Sequence, residues 1–537
     1  MAKDYWLKKA APTRREAHFG NRVVTCLAER PSSLNDMLRA TASSHPEREA
    51  LVCGTVRYSW RELDVCVGRV AAGLAARGVG KGDRVALLLG NCSEFVTTLF
   101  ATMRLGAIAV PLSVREQSAE IAHALNHCGA RVIVLGADLA IRLPEPAAVP
   151  ALIHRVLVGT SDPAESFEGL QQAGLQETAA AVVEEDTFAI LYTSGTTGRP
   201  KGALLTHLGV IHSAKHFESS FGLTAEDRCI AAVPLSHVTG VVAMVAAMLC
   251  CGGTLIVMPE FKAPSFLQLA EAERMTYTLL VPAMYNLCLL QTDIGKYDLS
   301  AWRIGGYGGA PMPPATIDRL AARFPSLRLA NVYGATETSS PSTILPPEDV
   351  RERGDSVGIA VACAEIAVMD EQGREVPPGE SGEVWISGPM VVAGYWQDPD
   401  ATAKEFTAGW WHSGDIGAVD VDGYLRVLDR RKDMINRGGY KVYSSEVELI
   451  LAQHPAVLEC AVIGVACPVL GERVHAFVVL RDPGATAETL RDHCASRLSD
   501  YKVPEAIVIS TEPLPRNANG KVVKRVLREQ NQITVKG

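Results

Sequence analysis

Apolar positions in the first third of the chain follow two different spacings, which predict helices alternating with strands. Residues 59–62 (Ser-Trp-Arg-Glu) form a capping box, and apolar residues then recur at helical spacing until Gly78. Short apolar runs predict buried strands at residues 85–89, 107–110 and 131–135. A helix is predicted between the first two of these strands, at residues 93–105. Strands that alternate with helices indicate a layered α/β domain with a largely parallel sheet.

The apolar pattern contains no segment that predicts a membrane span. The most apolar window, residues 241–258, is interrupted by Gly252-Gly253. Because the two pieces are too short to cross a bilayer, we predict a buried helix followed by a strand and no integral membrane segment. The N-terminus has basic residues without an apolar core, which argues against a secretory signal and predicts a cytoplasmic protein. Residues 144–185 are rich in Ala, Pro and Glu without clear periodicity, and predict a surface excursion.

A charged run at residues 429–433, Asp-Arg-Arg-Lys-Asp, lies between two apolar runs and marks a predicted domain boundary. A chain of 537 residues is too long for one core. We therefore predict a large N-terminal domain at residues 1–428, a hinge at 429–433 and a small domain at 434–537. In the small domain, strands are predicted at residues 460–464 and 474–480, and a helix at 487–498.

Composition and charge indicate an ordinary globular enzyme. Hydrophobic residues make up 47% of the chain and charged residues 21%, and the formal net charge is −8. This acidic balance argues against a nucleic-acid partner. The 13 cysteines include no CxxC pair, so we expect buried thiols in a reducing compartment rather than a zinc site.

The stretch that organises the chain is a run of hydroxyl, glycine and lysine residues at 192–202, Tyr-Thr-Ser-Gly-Thr-Thr-Gly-Arg-Pro-Lys-Gly. Apolar runs at residues 188–191 and 203–205 flank it, so the pattern predicts strand, loop, strand. Its glycines can turn backbone N–H groups toward one point, which predicts a cradle for a polyphosphate. It is not a Walker A loop, because a proline precedes the lysine and an apolar strand follows. A flexible surface loop is the plainer interpretation.

Five further positions or stretches are candidates for chemistry. The turn at residues 234–240 contains His237, and residues 305–311 are dense in glycine, which lets a flat ring approach the backbone. Residues 331–338 offer an aromatic ring, a hydroxyl and a carboxylate, and Asp415 follows a glycine. Lys521 follows an Asn-Gly turn that exposes its ammonium. The plainer interpretations are a core histidine, a capped strand end, a turn aspartate and a surface lysine.

In its full order, the stretch at 192–202 resembles the signature loop of the acyl-adenylate-forming superfamily: acyl-CoA synthetases, nonribosomal adenylation domains and luciferases. The resemblance extends from about residue 33 to about residue 527, and its other motifs fall in the family's order. It implies a large layered α/β domain of the acyl-adenylate-forming fold, followed by a small mobile C-terminal α+β domain. It also implies ATP, Mg²⁺ and coenzyme A as the cofactors and co-substrates.

The resemblance implies a role for each motif. The implied catalytic residues are Lys521, Thr196, Lys201, His237 and Glu337, and Glu337 and Thr196 would also hold Mg²⁺. The implied nucleotide-binding residues are Thr193, Ser194, Gly195, Thr197, Gly198, Gly309, Ala310, Pro311, Tyr333, Gly334, Thr336, Asp415 and Arg430. Coenzyme A would pass Gly438 and Gly439, and the small domain would rotate about Lys432. The implied acyl pocket consists of His237, Val238, Thr239, Gly306, Tyr307 and Gly308.

These expectations predict an ATP-dependent carboxylic acid–CoA ligase that forms an acyl-AMP intermediate. Small residues in the implied acyl pocket favour a bulky aryl or medium- to long-chain acid, although Tyr307 stands where the family usually has a small residue. The main alternative is a stand-alone adenylation enzyme that loads a carrier-protein thiol. A luciferase-like oxygenase and a regulatory protein with an inactive nucleotide site are less favoured. The expected partner is a small carboxylic acid, and the assembly state, for which a homodimer is one option, is left open.

Overall fold

A computed structural model describes residues 5–162, 165–171, 179–193, 200–291, 293–481, 484–516 and 522–534. The chain divides into two compact units. The first comprises Met1–Ile366, Trp385–His412 and Val421–Leu425, and the second comprises Ala367–Val384, Ser413–Asp420 and Arg426–Gly537. The second unit includes two segments that precede the predicted boundary at residue 428, and the movable hinge at residues 429–433 stays a prediction.

Strands and helices alternate through the first 193 residues, as the apolar pattern predicts. The strands are β1 (Thr13–His18), β2 (Arg22–Leu27), β3 (Glu49–Cys53), β4 (Val56–Ser59), β5 (Arg84–Leu88), β6 (Ile108–Pro111), β7 (Val132–Gly136), β8 (His154–Val158) and β9 (Thr187–Thr193). The helices are α1 (Leu34–Ser44), α2 (Trp60–Ala76), α3 (Ser93–Arg104), α4 (Ser118–Cys128) and α5 (Phe167–Gln171). The elements predicted at residues 85–135 are confirmed as β5, α3, β6 and β7.

Helix α2 begins with the predicted capping box. The backbone N–H of Glu62 donates to Ser59 Oγ at 3.2 Å, and the backbone N–H of Ser59 donates to Glu62 Oε2 at 2.8 Å. Caps of this kind typically stabilise a helix by ~1 kcal/mol because they satisfy N–H groups that have no partner within the helix. The apolar stripe of α2 is buried in the main core.

The expectation of a surface excursion at residues 144–185 is wrong for part of that segment. β8 pairs in parallel with β7 as an edge strand, and Phe167 and Leu170 of α5 are buried. Helix α5 lies so close to α2 that a Cβ at Gly73 would be 2.4 Å from the Leu170 carbonyl oxygen. These buried apolar residues are too few and too widely spaced to produce a visible period, so the sequence pattern did not indicate them.

The middle of the chain continues the alternation. Its strands are β10 (Lys201–Thr206), β11 (Arg228–Ala231), β12 (Thr254–Val257), β13 (Tyr277–Leu280), β14 (Ile304–Gly308), β15 (Arg328–Tyr333), β16 (Thr343–Ile344), β17 (Ile359–Ala360), β18 (Glu365–Met369), β19 (Gly382–Ser387), β20 (Phe406–Thr407), β21 (Trp410–Val419) and β22 (Leu425–Arg430). Its helices are α6 (His207–Phe221), α7 (Ala247–Cys251), α8 (Ala263–Ala272), α9 (Pro282–Leu289), α10 (Pro314–Arg323) and α11 (Pro399–Glu405).

The apolar window at residues 241–258 forms a buried helix followed by a strand, as predicted. A π-helix, Thr239–Ala246, continues into α7, and β12 follows after Gly252-Gly253. Across the described parts of the chain, every helix is too short or too polar to cross a membrane.

Two largely parallel sheets form the frame of the first unit. One has six strands in the order β10-β9-β6-β5-β7-β8, and the other has nine in the order β17-β16-β15-β14-β13-β11-β12-β3-β4. The six-stranded sheet is buried on both faces: Val85 and Leu87 of β5 belong to the main core, whereas Ala86 and Leu88 belong to a second core that includes α4. This arrangement confirms the predicted layered α/β fold.

The described residues of the C-terminal part form five strands and three α-helices. Its strands are β23 (Ile435–Arg437), β24 (Tyr440–Val442), β25 (Val457–Cys467), β26 (Gly471–Leu480) and β27 (Ala506–Ser510), and its helices are α12 (Ser444–Ala452), α13 (Ala487–Ala495) and α14 (Lys524–Thr534). β25, β26 and α13 confirm the predicted elements. The strands form one sheet in the order β24-β23-β26-β25, with β27 beside β26. Strands β18 to β22 form a further sheet in the order β18-β19-β21-β20, with β22 beside β21.

Candidate active site

The predicted phosphate loop connects two paired strands. β9 ends at Thr193 and β10 begins at Lys201, and these two residues lie opposite each other in the antiparallel register. Opposite residues of such a pair point to the same face of the sheet, so the Thr193 hydroxyl and the Lys201 ammonium share one face. The strands of the predicted strand–loop–strand unit are therefore confirmed. The predicted ligand-binding residues between them, Ser194, Gly195, Thr196, Thr197 and Gly198, lie outside the described residues.

Lys201 is buried and forms an ion pair with Glu405, the last residue of α11. Its Nζ also lies 4.9 Å from the ring centroid of Tyr395. Tyr395 is held beside β10 by backbone hydrogen bonds on either side: Leu204 N–H donates to Gly394 O at 3.1 Å, and Trp396 N–H donates to Gly202 O at 2.7 Å. The predicted phosphate-binding lysine thus contacts the carboxylate of Glu405 and the aromatic ring of Tyr395.

Glu337 lies in a 3-10 turn, Thr336–Thr338, after β15, and its side chain belongs to the same group. Its Oε1 accepts a hydrogen bond from Thr193 Oγ1 at 3.2 Å and lies 3.1 Å from the Tyr395 hydroxyl. The Tyr395 hydroxyl also lies 2.5 Å from Glu405 Oε2. Burial raises the pKa of Glu337 above its usual value. We call these five residues the lysine–carboxylate network: Thr193, Lys201, Glu337, Tyr395 and Glu405.

Tyr395 and Glu405 were not predicted from the sequence. Neither belongs to a motif that indicates phosphate chemistry, and each is brought to the network by tertiary structure. Tyr395 is placed by its bonds to β10, and Glu405 by α11, whose Thr402 hydroxyl accepts a hydrogen bond from Tyr395 N–H at 3.0 Å. In the sequence, Tyr395 and Glu405 are ten residues apart, and this spacing by itself predicts no contact.

The predicted adenine contacts lie together at one edge of the nine-stranded sheet. β14 and β15 are parallel neighbours with Gly308 opposite Val332, so the residues that follow them emerge side by side. After β14 come the exposed residues Gly309, Ala310 and Pro311, and β15 ends at Tyr333, followed by Gly334 and Thr336. The carboxyl ends of parallel strands are where open α/β sheets bind ligands. Gly309 has φ +77°, which favours glycine at this turn.

Three residues of the implied acyl pocket, Gly306, Tyr307 and Gly308, lie inside β14 and are buried. A Cβ at Gly308 would be 2.3 Å from the Val332 carbonyl oxygen, and a Cβ at Gly306 would be 3.1 Å from Leu279 Cγ. Packing between neighbouring strands therefore requires glycine at residue 308, whatever role the residue has toward a substrate. The hydroxyl of Tyr307 is buried and has no hydrogen-bond partner among the described residues.

His237 lies in the turn before the π-helix and is half-buried. Its Nδ1 accepts a hydrogen bond from the backbone N–H of Thr239 at 3.3 Å and lies 3.1 Å from the Thr239 hydroxyl. Val238, between them, is buried. π-helical turns occur frequently at functional sites, so this turn remains a candidate for substrate contact.

In the second unit, Asp415 and Arg430 form an ion pair with 2.7 Å between Asp415 Oδ1 and Arg430 Nε. Asp415 is buried in β21, and Arg430 ends the neighbouring strand β22. The guanidinium also donates from Nη1 to the Ser413 carbonyl at 3.3 Å. The structure thus brings together the two residues that the resemblance placed on the ribose.

The other predicted residues of this unit lie in turns. Lys432 is exposed in the turn after β22. Gly438 and Gly439 are the two connecting residues of the β23–β24 hairpin, with φ +61° and +89°. Two positive φ angles in a two-residue hairpin are typical of the type I′ turn, which favours glycine. Lys521 lies outside the described residues, so its predicted catalytic role stays a prediction.

Models of two families match the chain. An AMP-binding enzyme model matches residues 38–396, and a model of the AMP-binding enzyme C-terminal domain matches residues 446–521. The chain belongs to the family of AMP-binding enzymes. This result confirms the superfamily that the motifs indicated, and with it the predicted fold.

Known relatives cover almost the whole chain. A feruloyl-CoA synthase of Amycolatopsis sp is 37% identical over 492 residues, which are 91% of this chain and 97% of the relative. A long-chain fatty acid–CoA ligase of Mycobacterium tuberculosis is 35% identical over 503 residues, 93% of this chain and 98% of the relative. The solved structure of O-succinylbenzoate CoA synthetase from Bacillus subtilis with ATP and magnesium ion is 30% identical, with a TM-score of 0.82. It covers 92% of this chain and 98% of its own.

The chemical groups around Glu337 are suited to bind a magnesium ion. The carboxylate is buried, the hydroxyl groups of Thr193 and Tyr395 lie within 3.2 Å of it, and no described residue forms an ion pair with it. A buried carboxylate that lacks a cationic partner favours a bound divalent cation, and oxygen ligands are those that Mg²⁺ prefers. Glu337 would hold the ion, and Thr196 is the second predicted ligand.

A separate cluster on the β1–β2 hairpin does not fit a metal. Ligand atoms of Glu16, His18 and Cys26 lie within 4.8 Å of one another. However, Arg30 donates to both oxygens of Glu16 at 2.9 and 2.7 Å, and burial raises the pKa of Cys26 to about 12. A carboxylate already neutralised by a guanidinium and a protonated thiol lack the negative charge that a divalent cation needs.

Proposed function

We propose that the chain is an ATP-dependent ligase that joins a carboxylic acid to coenzyme A through an acyl-adenylate. The observation that carries the proposal is the lysine–carboxylate network. Its Lys201 ammonium and its buried Glu337 carboxylate lie on the same side of the strands that flank the phosphate loop, which supports a role for the first toward phosphate oxygens and for the second toward Mg²⁺. Family membership over most of the chain supports the same activity.

In the first half-reaction, an oxygen of the acid's carboxylate attacks the α-phosphorus of ATP. The bond from that phosphorus to the bridging oxygen breaks, and pyrophosphate leaves with the electron pair. Lys201 and the N–H groups of the loop would stabilise negative charge on the phosphates. A magnesium ion, when bound at Glu337, supplies further charge neutralisation. In the second half-reaction, the coenzyme A thiolate attacks the acyl carbon and AMP leaves.

The remaining site residues are proposed from the resemblance and from their placement. The adenine ring would lie against Gly309, Ala310 and Pro311 and stack on Tyr333, since the two segments emerge side by side from β14 and β15. Asp415 and Arg430 would contact the ribose, and their direct ion pair supports a shared role. Lys521 would bridge the acid and the α-phosphate in the first half-reaction.

The acid is proposed to be bulky, either an aryl acid or a fatty acid. The relatives named for ferulate and for long-chain fatty acids, 37% and 35% identical, support this class. Free coenzyme A is the proposed thiol, because these relatives are named for coenzyme A products. A carrier-protein thiol is the second candidate.

The proposed location is the cytoplasm. All thirteen cysteines are free thiols, which supports this location. A homodimer remains a prediction.

A single assay tests the proposal. The purified chain is incubated with ATP and Mg²⁺ and with ferulate, dodecanoate or acetate, each with and without coenzyme A. We expect pyrophosphate release that depends on ferulate or dodecanoate and exceeds that with acetate, and an acyl-CoA product when coenzyme A is present. Acid-dependent pyrophosphate release without acyl-CoA would favour the carrier-protein alternative. No acid-dependent release from any of the acids tested would overturn the proposal.

A further inference from the structure

The lysine that is proposed to meet the phosphates of ATP already has an internal counter-ion. Lys201 Nζ is paired with Oε1 of Glu405, and the two side chains are 8% and 24% exposed. A pair this shielded from water interacts more strongly than a surface ion pair, because solvent and salt screen it less. The ammonium therefore cannot move to a phosphate without giving up a favourable contact.

The position of Glu405 is built by the surrounding chain. Its other oxygen, Oε2, lies 2.5 Å from the Tyr395 hydroxyl, so both carboxylate oxygens have partners. Helix α11, which ends at Glu405, is capped by Asp398, whose Oδ1 accepts from Ala401 N–H at 2.9 Å. Thr402 of the same helix approaches Gly394 so closely that a Cβ there would be 2.6 Å from Thr402 Cγ2. These contacts hold the carboxylate in front of Lys201.

The network also separates two acidic groups that would otherwise compete for the lysine. Glu337 contacts Thr193 and Tyr395, whereas Glu405 contacts Tyr395 and Lys201. Among the described residues, Glu337 therefore has no cationic partner, because Lys201 pairs with Glu405 instead. This division keeps the Glu337 carboxylate available for a divalent cation and gives the lysine a neutralised resting state.

We propose that Glu405 is a positioning residue that holds Lys201 before the nucleotide binds, and that the polyphosphate of ATP competes with it for the ammonium. No covalent step is involved: one ion pair is exchanged for another. Since the exchange costs part of the binding free energy, Glu405 lowers the affinity for ATP while keeping the buried lysine neutralised. This inference rests on the proposed function, because it takes ATP as the nucleotide that meets Lys201.

The test compares nucleotide affinities of Glu405→Gln and of the unmodified chain by isothermal titration calorimetry. The amide keeps the size of the side chain and removes its charge. We expect ATP with Mg²⁺ to bind about three- to tenfold more tightly to the variant, as expected for loss of a partly shielded charge competitor. AMP lacks the terminal phosphates, so its affinity should stay within about twofold. Asp400→Asn, an equal charge change at an exposed position of α11, is the matched control and should alter neither affinity.

Unchanged or weaker ATP binding in Glu405→Gln, or an equal gain for AMP, would overturn the inference. Glu405→Ala provides a second variant with the same expected direction, and melting temperatures check that each variant is folded. Failure of the proposed function would be distinct from failure of this inference. In that case the unmodified chain would not bind ATP, whereas failure of the inference alone leaves ATP binding intact and insensitive to Glu405.

Discussion

Thr193 donates a 3.2 Å hydrogen bond to the carboxylate of Glu337, a residue 144 positions further along the chain. The contact joins the end of β9 in the six-stranded sheet to the turn after β15 in the nine-stranded sheet. It brings the end of the strand that leads into the predicted phosphate loop next to the predicted magnesium ligand. The two largest sheets of the first unit therefore converge on the proposed chemistry.

Glu337→Gln should remove most of the activity with little change in fold. The variant keeps a hydrogen-bonding oxygen for Thr193 and Tyr395 but loses the negative charge proposed to hold Mg²⁺. Loss of such an electrostatic contribution typically lowers the rate by ~10²–10³. The measurement is kcat for acid-dependent pyrophosphate release over a range of Mg²⁺ concentrations. Glu352→Gln, an exposed glutamate of the same unit, is the control. Activity of Glu337→Gln within threefold of the unmodified chain would remove Glu337 from the magnesium site.

Gly308→Ala should destabilise the fold and reduce activity on all acids alike. A Cβ at this residue would lie 2.3 Å from the Val332 carbonyl oxygen, which belongs to the adjacent strand and cannot move away cheaply. We expect a lower melting temperature by several degrees, roughly as for ~1–3 kcal/mol of overpacking. Gly90→Ala is the control, because nothing lies within 4 Å of its added Cβ. A normal melting temperature with a selective loss on long acids would instead place residue 308 in an open acyl pocket.

The helices and strands could be predicted from the sequence where residues close together in the chain show a clear apolar pattern. Helical periodicity predicted α2, and short apolar runs predicted β5, β7 and the strands on both sides of the phosphate loop. The edge strand β8 and helix α5 were missed because their few buried residues show no period. Gly306 and Gly308 were expected beside a ligand, and that role stays a prediction. The sequence did not indicate that they also pack inside a buried strand, since a glycine that packs a sheet looks the same in sequence as one that frees a binding surface.

The site was predictable where one motif carries the chemistry and not where distant segments meet. Lys201, Glu337, Asp415 and Arg430 each belong to a recognisable motif. Tyr395 and Glu405 do not, because their place beside Lys201 depends on backbone bonds between β10 and residues 394–396 and on where α11 ends. Such contacts arise from tertiary packing, which a single sequence does not display.

Glu116→Gln should make the stability of the protein less sensitive to pH. Burial raises the pKa of Glu116 to about 7, above the ordinary value of 4.5. The folded state therefore holds this proton more tightly than the unfolded state, so the contribution of Glu116 to stability is full below pH 4.5 and is lost as the pH rises through 7. The neutral amide should thus gain in melting temperature relative to the unmodified chain between pH 5 and pH 8 (expected gain ~1–3 °C). A difference that does not vary with pH would contradict this, and Glu352→Gln serves as the reference.

Asp415→Ala and Arg430→Ala should each raise KM for ATP, and their effects should not add. The two side chains form a direct ion pair of 2.7 Å, so removing one also displaces the other from its proposed position on the ribose. Hydrogen bonds to charged groups are worth ~1.5–3 kcal/mol, which predicts a rise in KM of about tenfold or more for Asp415→Ala. A double-mutant cycle measures the coupling, with the exposed Glu380→Ala as control. Additive effects would mean that the two side chains act on ATP independently, and an unchanged KM would mean that the pair has only a structural role.

The central claim, that the acid attacks the α-phosphorus of ATP, is tested most directly by following one oxygen atom. An acid that supports pyrophosphate release is labelled with ¹⁸O at both carboxylate oxygens and converted with ATP, Mg²⁺ and coenzyme A. Mass spectrometry then measures the AMP that is formed. An acyl-adenylate pathway predicts that each AMP carries one ¹⁸O from the acid, because the bridging oxygen stays with phosphorus when the thiolate attacks the acyl carbon. Unlabelled AMP, or ADP in place of AMP, would contradict the account.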